Sequence, residues 1–361
     1  MATIGLKGFQ KYHMDRFFAG SLLVSIGILL TTTGGSWDIT NHLINRPETF
    51  FSIPHTVLYS GVLVAIIGSI IMLQAYRCQR DPLKSLSTKM AVIGSLLLVV
   101  AGPADFGWHQ AFGLDGLLSP THMTLVVGML CSSLGGLFGI RRSISDKTNP
   151  KPMLTTVLAM LPTWLAAAGM LDMLSLPFSN TIHFKFNPDP TLAVILATVA
   201  FPFLSAIILI SISSMSQRRF GYLSALGASF VAVAILTTII PDDKIRISIP
   251  FYLINLIPIV VADIILSVSQ KKSLTYLAGA ILGLGFFTLY FPLITHVYNE
   301  VLTTAPVWPS AIIDTYFADL AKFYPIVFLP AIVIGVLGTI ASKRLVGKGS
   351  NSNTLEDVRQ P

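Results

Sequence analysis

The chain has 361 residues, 53% of them hydrophobic and only 11% charged, and a mean hydropathy of +0.73; two soluble domains, the ordinary reading of this length, are excluded in favour of a polytopic membrane protein. Its 24 Lys and Arg against 17 Asp and Glu give a formal charge of +7, and in a membrane chain such an excess is first an orientation signal, so no nucleic-acid partner is expected. The two cysteines, Cys78 and Cys131, offer neither a disulfide framework nor a Cys-rich zinc site.

Crossing a hydrocarbon core of about 30 Å takes roughly 20 helical residues. Apolar runs of that kind come in chain order at 17–33, 54–76, 90–108, 123–140, 153–170, 191–214, 220–240, 249–268, 274–294 and 324–341. They are expected as helices, because lipid offers no partner to a backbone N–H or C=O and the runs lack the alternation of barrel strands. The predicted fold is therefore an all-α transmembrane bundle of about ten spans, a single domain over 1–348, with a polar Ser/Asn-rich tail at 349–361 read as disordered.

Lys7, Lys11 and Arg16 precede the first run and no small-residue cleavage site follows it, so it reads as a retained helix. Basic residues then recur in every second connection: Arg77, Arg80, Lys84 and Lys89, then Arg141, Arg142, Lys147 and Lys151, then Arg218 and Arg219, then Lys271 and Lys272. The C-terminal stretch adds Lys343, Arg344, Lys348 and Arg359, and only Arg46, Lys185, Lys244, Arg246 and Lys322 fall on the opposite side. This positive-inside bias predicts a multi-pass protein of the cell membrane, with the lipid bilayer as its partner and both termini in the cytoplasm.

With that topology, His42, His55, His109, His122, His183 and His296 all fall at the outer ends of spans, beside Asp38, Glu48, Asp105, Asp115, Asp172 and Asp189, and only His13 lies inside. Core packing would not sort histidines to one membrane face, so an outward-facing polar site is expected. An internal repeat organises it. At an offset of 67 residues Asp38 matches Asp105, His42 matches His109, Glu48 matches Asp115, Ser52 matches Ser119, His55 matches His122 and Gly61 matches Gly128. Each copy reads D-x3-H-x5-[DE]-x3-S-x2-H-x5-G, which predicts a duplicated helical pair with copies at about 17–76 and 90–141.

Residues four apart stack on one helix face, so D-x3-H presents a carboxylate oxygen and an imidazole nitrogen to one point. The second histidine of each copy follows Ser52-Ile-Pro or Ser119-Pro, where Ser caps a helix and Pro occupies its first turn, placing that ring at a helix N-terminus. Two imidazoles and a carboxylate make a borderline N,O set suited to Cu(II), Zn(II) or Fe(II). Hydrogen bonds to headgroups or helix ends are the plain alternative for the same residues, less so for the second copy, whose polar groups are denser.

The second copy, D-x2-W-H-Q-x4-D-x3-[ST]-P-x-H from Asp105 to His122, resembles the copper-ligand segment of the C subunit of the membrane-bound copper monooxygenases, the particulate methane and ammonia monooxygenases. The resemblance implies Asp105, His109 and His122 as copper ligands, with Asp38, His42 and His55 at the same spacing in the first copy. Trp108 matches as well, where the first copy has Asn41. It further implies oxidation of a small apolar or ammonia-like substrate, electrons from a donor and other membrane subunits as partners; Asp115, and Glu48 in the first copy, would orient an imidazole from outside the ligand set. The resemblance covers about forty residues closely, and this chain, with ten predicted spans and two motifs, is longer than the family's C subunit.

Four further residues extend the pattern. His183 and Asp189 repeat H-x5-[DE] after the fifth span, and His296 with Glu300 forms an H-x3-E pair at the end of the ninth. Asp263 lies within the eighth span, where a carboxylate must face the bundle interior as a structural partner or as part of a proton pathway. Met170, Asp172 and Met173 cluster at the end of the fifth, where thioethers either meet Cu(I) or simply pack. A second functional class stays open: a transporter or metal-handling protein that captures an ion at the same outer ligands and passes it inward past Asp263.

Overall fold

The computed structural model describes residues 16–43, 49–79, 81–113, 118–143, 152–175, 190–285 and 329–345. The helices run α1 (Arg16–Leu43), α2 (Ile53–Gln79), α3 (Pro82–Phe112), α4 (Pro120–Ser143), α5 (Met153–Ser175), α6 (Pro190–Met215), α7 (Tyr222–Ile239), α8 (Ile249–Leu253), α9 (Leu256–Val268) and α10 (Lys272–Gly285), with a 3-10 turn at Asp243–Ser248. Residues 329–345 form a further helix, α11. The described residues contain no strand. Six of the helices, α1 to α5 and α7, are long and apolar enough to cross a membrane, so the chain is a membrane protein with multiple spans.

The remaining predicted spans are met differently. α6 covers 191–214. The span expected at 249–268 is instead two helices, α8 and α9, interrupted at Ile254 and Asn255. Pro258 causes the break, since its ring would collide with the carbonyl of residue 254 and it has no N–H to offer; the side-chain amide of Asn255 turns back to the carbonyl of Tyr252 at 3.2 Å. α10 covers the first part of 274–294 and α11 most of 324–341, while 286–300 and the proposed tail at 349–361 lie outside the described residues.

α1 packs along α2, α3 along α4, and α1 also lies against α4, α5 and α7. One buried cluster, including Phe17, Val24, Ile28, Leu58, Met72, Leu98 and Met129, fills the space among α1 to α4. Another, around Trp164, Leu209, Leu226, Phe230 and Ile259, joins α5 to α10. Trp164 stacks on Phe230 with centroids 4.2 Å apart. On the outside, α2 and α3 leave Leu63, Ile67, Ile70, Ile93, Leu96, Val99 and Val100 exposed, an apolar surface suited to lipid.

Where helices touch, small residues let their backbones meet. A Cβ added to Gly27 would overlap the backbone of Gly61 and Ala65, and one added to Gly94 would overlap Gly128 and Ser132. Likewise, a Cβ on Gly68 would lie 2.7 Å from Gly20 O and Val24 N, and one on Gly135 2.8 Å from Ser87 O and 2.5 Å from Ala91 N. Every contact of the α1–α2 seam in this set has its α3–α4 counterpart 67 residues on. Hydroxyl pairs add cross-links between helices: Ser69 with Ser95 at 2.9 Å and Ser36 with Thr237 at 2.9 Å.

Asp263 closes the opposite end of the second half. Its Oδ2 accepts hydrogen bonds from Gly221 N at 2.9 Å, Ser224 N at 3.0 Å and Ser224 Oγ at 2.7 Å, capping the first turn of α7. Gly221 stands at φ +97°, a left-handed conformation natural to glycine. Beside it Arg218 donates to Ser269 O at 2.7 Å and Thr275 Oγ1 at 2.9 Å, tying the α6–α7 connection to α9 and α10. Burial holds that guanidinium below its ordinary pKa.

Candidate metal centre

α1 continues beyond the apolar run at 17–33 to Leu43, which carries Asp38 and His42 on its last turns, and α3 in the same way carries Asp105 and His109. α2 and α4 start at the same end of the bundle and place His55 and His122 in their first turns. Ser119 caps α4 as its position predicts, accepting the backbone N–H of His122 at 3.3 Å. Ser52 does not repeat this: its hydroxyl has no hydrogen-bond partner among the described residues.

Within each helical pair the three predicted ligands converge. Asp105 Oδ2 lies 3.5 Å from His109 Nε2, Asp105 Oδ1 lies 3.3 Å from His122 Nε2, and the two Nε2 atoms are 3.3 Å apart. In the first pair Asp38 Oδ2 is 3.6 Å from His42 Nε2 and Asp38 Oδ1 is 3.1 Å from His55 Nε2. The six side chains are only 10–14% exposed.

Two backbone carbonyls set ring tautomers. His109 Nδ1 is 3.0 Å from Gly113 O and His55 Nδ1 is 3.0 Å from Thr49 O; a carbonyl only accepts, so both Nδ1 atoms carry hydrogen and leave Nε2 to face the carboxylate. Thr121 Oγ1 donates to Asp105 Oδ1 at 2.6 Å and lies 3.1 Å from Ser119 Oγ. His122 Nδ1 is buried without a hydrogen-bond partner among the described residues.

The two triplets are also neighbours. Imidazole nitrogens of His42, His109 and His122 lie within 4.8 Å of one another. The ring of His42 meets that of His109 edge-on, centroids 5.2 Å apart at 88°, and lies 6.4 Å from that of His122. An aromatic wall stands beside His55: Tyr59 is 5.8 Å from its ring, and Phe50 lies 5.1 Å from both Tyr59 and Phe106.

Asp38, His42, His55, Asp105, His109 and His122 thus come together at one end of the bundle. Trp108 is half-buried on α3 and packs on Phe112 at 4.7 Å. Asp263, on α9, turns its carboxylate to the start of α7 in its capping role. Met173 is buried in α5, and Asp172 Oδ1 is buried without a hydrogen-bond partner among the described residues. Glu48, Asp115, His183, Asp189, His296 and Glu300 lie outside the described residues. Thr121 escaped sequence reading because its counterpart in the repeat is Pro54, so the comparison of copies gave no sign of it. No family model, curated protein or solved structure matches the chain.

Proposed function

We propose that the chain is an integral membrane metal-binding protein related to the C subunits of the copper membrane monooxygenases, holding copper at the end of the bundle that faces away from the cytoplasm. The observation that carries this reading is the mutual approach of Asp105, His109 and His122. His109 Nε2 points its lone pair at His122 Nε2, 3.3 Å away, and at Asp105 Oδ2, 3.5 Å away, and Asp105 Oδ1 lies 3.3 Å from His122 Nε2; with the His122 hydrogen on Nδ1, both ring nitrogens and the carboxylate turn lone pairs to a common point that a cation fills. Donors about 2.0–2.2 Å from a tetrahedral ion stand roughly 3.3 Å from one another, which is the spacing present. Borderline nitrogen and hard oxygen together suit copper, with zinc and iron as the competing ions.

In this reading Asp105, His109 and His122 hold the metal. Thr121 fixes one carboxylate oxygen, Gly113 O fixes the His109 tautomer, and Asp115 is proposed as an orienter of an imidazole. Copper would supply one-electron and dioxygen chemistry, in support of oxidation of a small substrate, with an electron donor and further subunits as partners. The residues' own part is to bind the ion, orient the rings and keep the site largely shielded from water. The two seams with matching contacts are proposed as copies of one duplicated unit. The ten-span topology with cytoplasmic termini belongs to the same proposal, Asp38, His42 and His55 being the first copy's set.

The transport alternative draws its inward step from Asp263, but that carboxylate is engaged by three donors at the start of α7, which favours a resident ion. The test is metal analysis of detergent-purified protein beside a variant carrying His109→Ala and His122→Ala. Copper in the wild type and its loss in the variant, with helicity kept by circular dichroism, are expected. Equal copper in both overturns the ligand assignment.

A further inference from the structure

We infer that the ion is held jointly by the two helical pairs, as one four-ligand centre of Asp105, His109, His122 and His42. The inference rests on the metal-binding reading above and deepens it.

Asp105, His109 and His122 offer three donors, one short of the four that a closed tetrahedral site takes. The ring of His42 enters from α1 with a nitrogen within 4.8 Å of nitrogens of both His109 and His122. That is near enough for a shared ion once the side chains draw in by about an ångström, a movement that χ rotations of long side chains supply. In its own triplet His42 Nε2 is 3.6 Å from Asp38 Oδ2, while His55 Nε2 is 3.1 Å from Asp38 Oδ1. Asp38 and His55 then form a pair behind His42, with His55 itself anchored on Thr49 O. A carboxylate behind a ligating histidine is the usual way to fix its orientation.

Among the described residues, charge favours one ion over two. With neutral rings, Asp38 and Asp105 together balance a single divalent cation. A second would bring two positive charges that these two carboxylates do not offset, among side chains only 10–14% exposed, and in so desolvated a place such charge is costly.

The experiment titrates Cu(II) into the full-length protein in detergent, reading stoichiometry by metal analysis and the number of coordinated nitrogens by electron paramagnetic resonance. One copper per chain with three nitrogens is expected in the wild type. His42→Ala or His42→Gln should leave two nitrogens and lower the affinity by more than the roughly 10–100-fold that loss of an outer partner costs. His55→Ala should retain all three nitrogens and lose no more than about that 10–100-fold. Two coppers per chain, two nitrogens in the wild type, or a His42→Ala variant with unchanged spectrum and affinity overturns the joint centre. If any of these appears while His109→Ala still abolishes binding, the metal-binding reading stands and only the sharing is lost; a wild type that binds no copper defeats both. The wild-type stoichiometry and nitrogen number decide the matter even if the His42 variants do not fold.

Discussion

Thr121 separates the site's direct donors from what positions them. Its hydroxyl gives a short hydrogen bond, 2.6 Å, to Asp105 Oδ1 and holds the oxygen that faces His122. Valine at 121 keeps the shape and removes the donor. Thr121→Val should therefore weaken copper binding about 10–100-fold, with the number of coordinated nitrogens unchanged in a competitive titration followed by electron paramagnetic resonance. Unchanged affinity would mean that the oxygen next to His122 needs no anchoring. What sequence conveyed at this scale follows from locality: Asp105 and His109 are one helical turn apart, and so are Asp38 and His42, so their juxtaposition is fixed as soon as the segment is helical. The approach of His42 to His109 depends on how α1 lies against α4, along which α3 packs. No spacing along the chain encodes that: the repeat leaves open whether its two triplets make one site or two, and the rings of His42, His109 and His122 form one cluster.

Among the elements, the seams of α1 with α2 and of α3 with α4 decide whether the triplets form at all. The backbones meet at Gly27 and Gly61 in one and at Gly94 and Gly128 in the other. In lipid this closeness is where association energy comes from, through packing of main chain on main chain. Gly94→Ala places a methyl against Ser132 Oγ and Gly128 O, and overpacking of this kind costs about 1–3 kcal/mol. Gly107, on the same helix, has nothing within 4 Å of an added Cβ, so Gly107→Ala should be neutral or stabilising by up to roughly 1 kcal/mol. Thermal unfolding in detergent should order the variants Gly107→Ala, wild type, Gly94→Ala, and copper retention at intermediate temperatures should follow that order. Equal melting of both variants would show that the seam has slack. The helices themselves were legible as apolar runs, since lipid enforces helix wherever the run is long enough. The break between α8 and α9 was within reach of Pro258 but was hidden by the continuous hydrophobicity around it, and the extension of α1 to Leu43 lay beyond the apolar run because its last turns are polar, with only the helical reading of D-x3-H pointing to it.

The largest scale is orientation, which would decide from which compartment the proposed centre loads. α2 has 27 residues and therefore spans roughly 40 Å at 1.5 Å per residue, more than the hydrocarbon core, so its two ends emerge on opposite faces. His55 stands at one end and Cys78, exposed, at the other. The basic residues Arg77, Lys84 and Lys89 gather at the Cys78 end, and the positive-inside rule predicts that this end faces the cytoplasm. Cys131, in the middle of α4, should stay silent toward polar reagents, which leaves Cys78 as the native reporter. A membrane-impermeant maleimide applied to intact cells should thus fail to label Cys78 and should label it after permeabilisation. In a Cys78→Ser background, Phe51→Cys, at a side chain 75% exposed just before the His55 end of α2, should be labelled without permeabilisation. The reverse pattern would turn the protein over. The ligand geometry would survive, but copper would then have to come from the cytoplasm, and an outward-facing oxidation site would no longer be tenable.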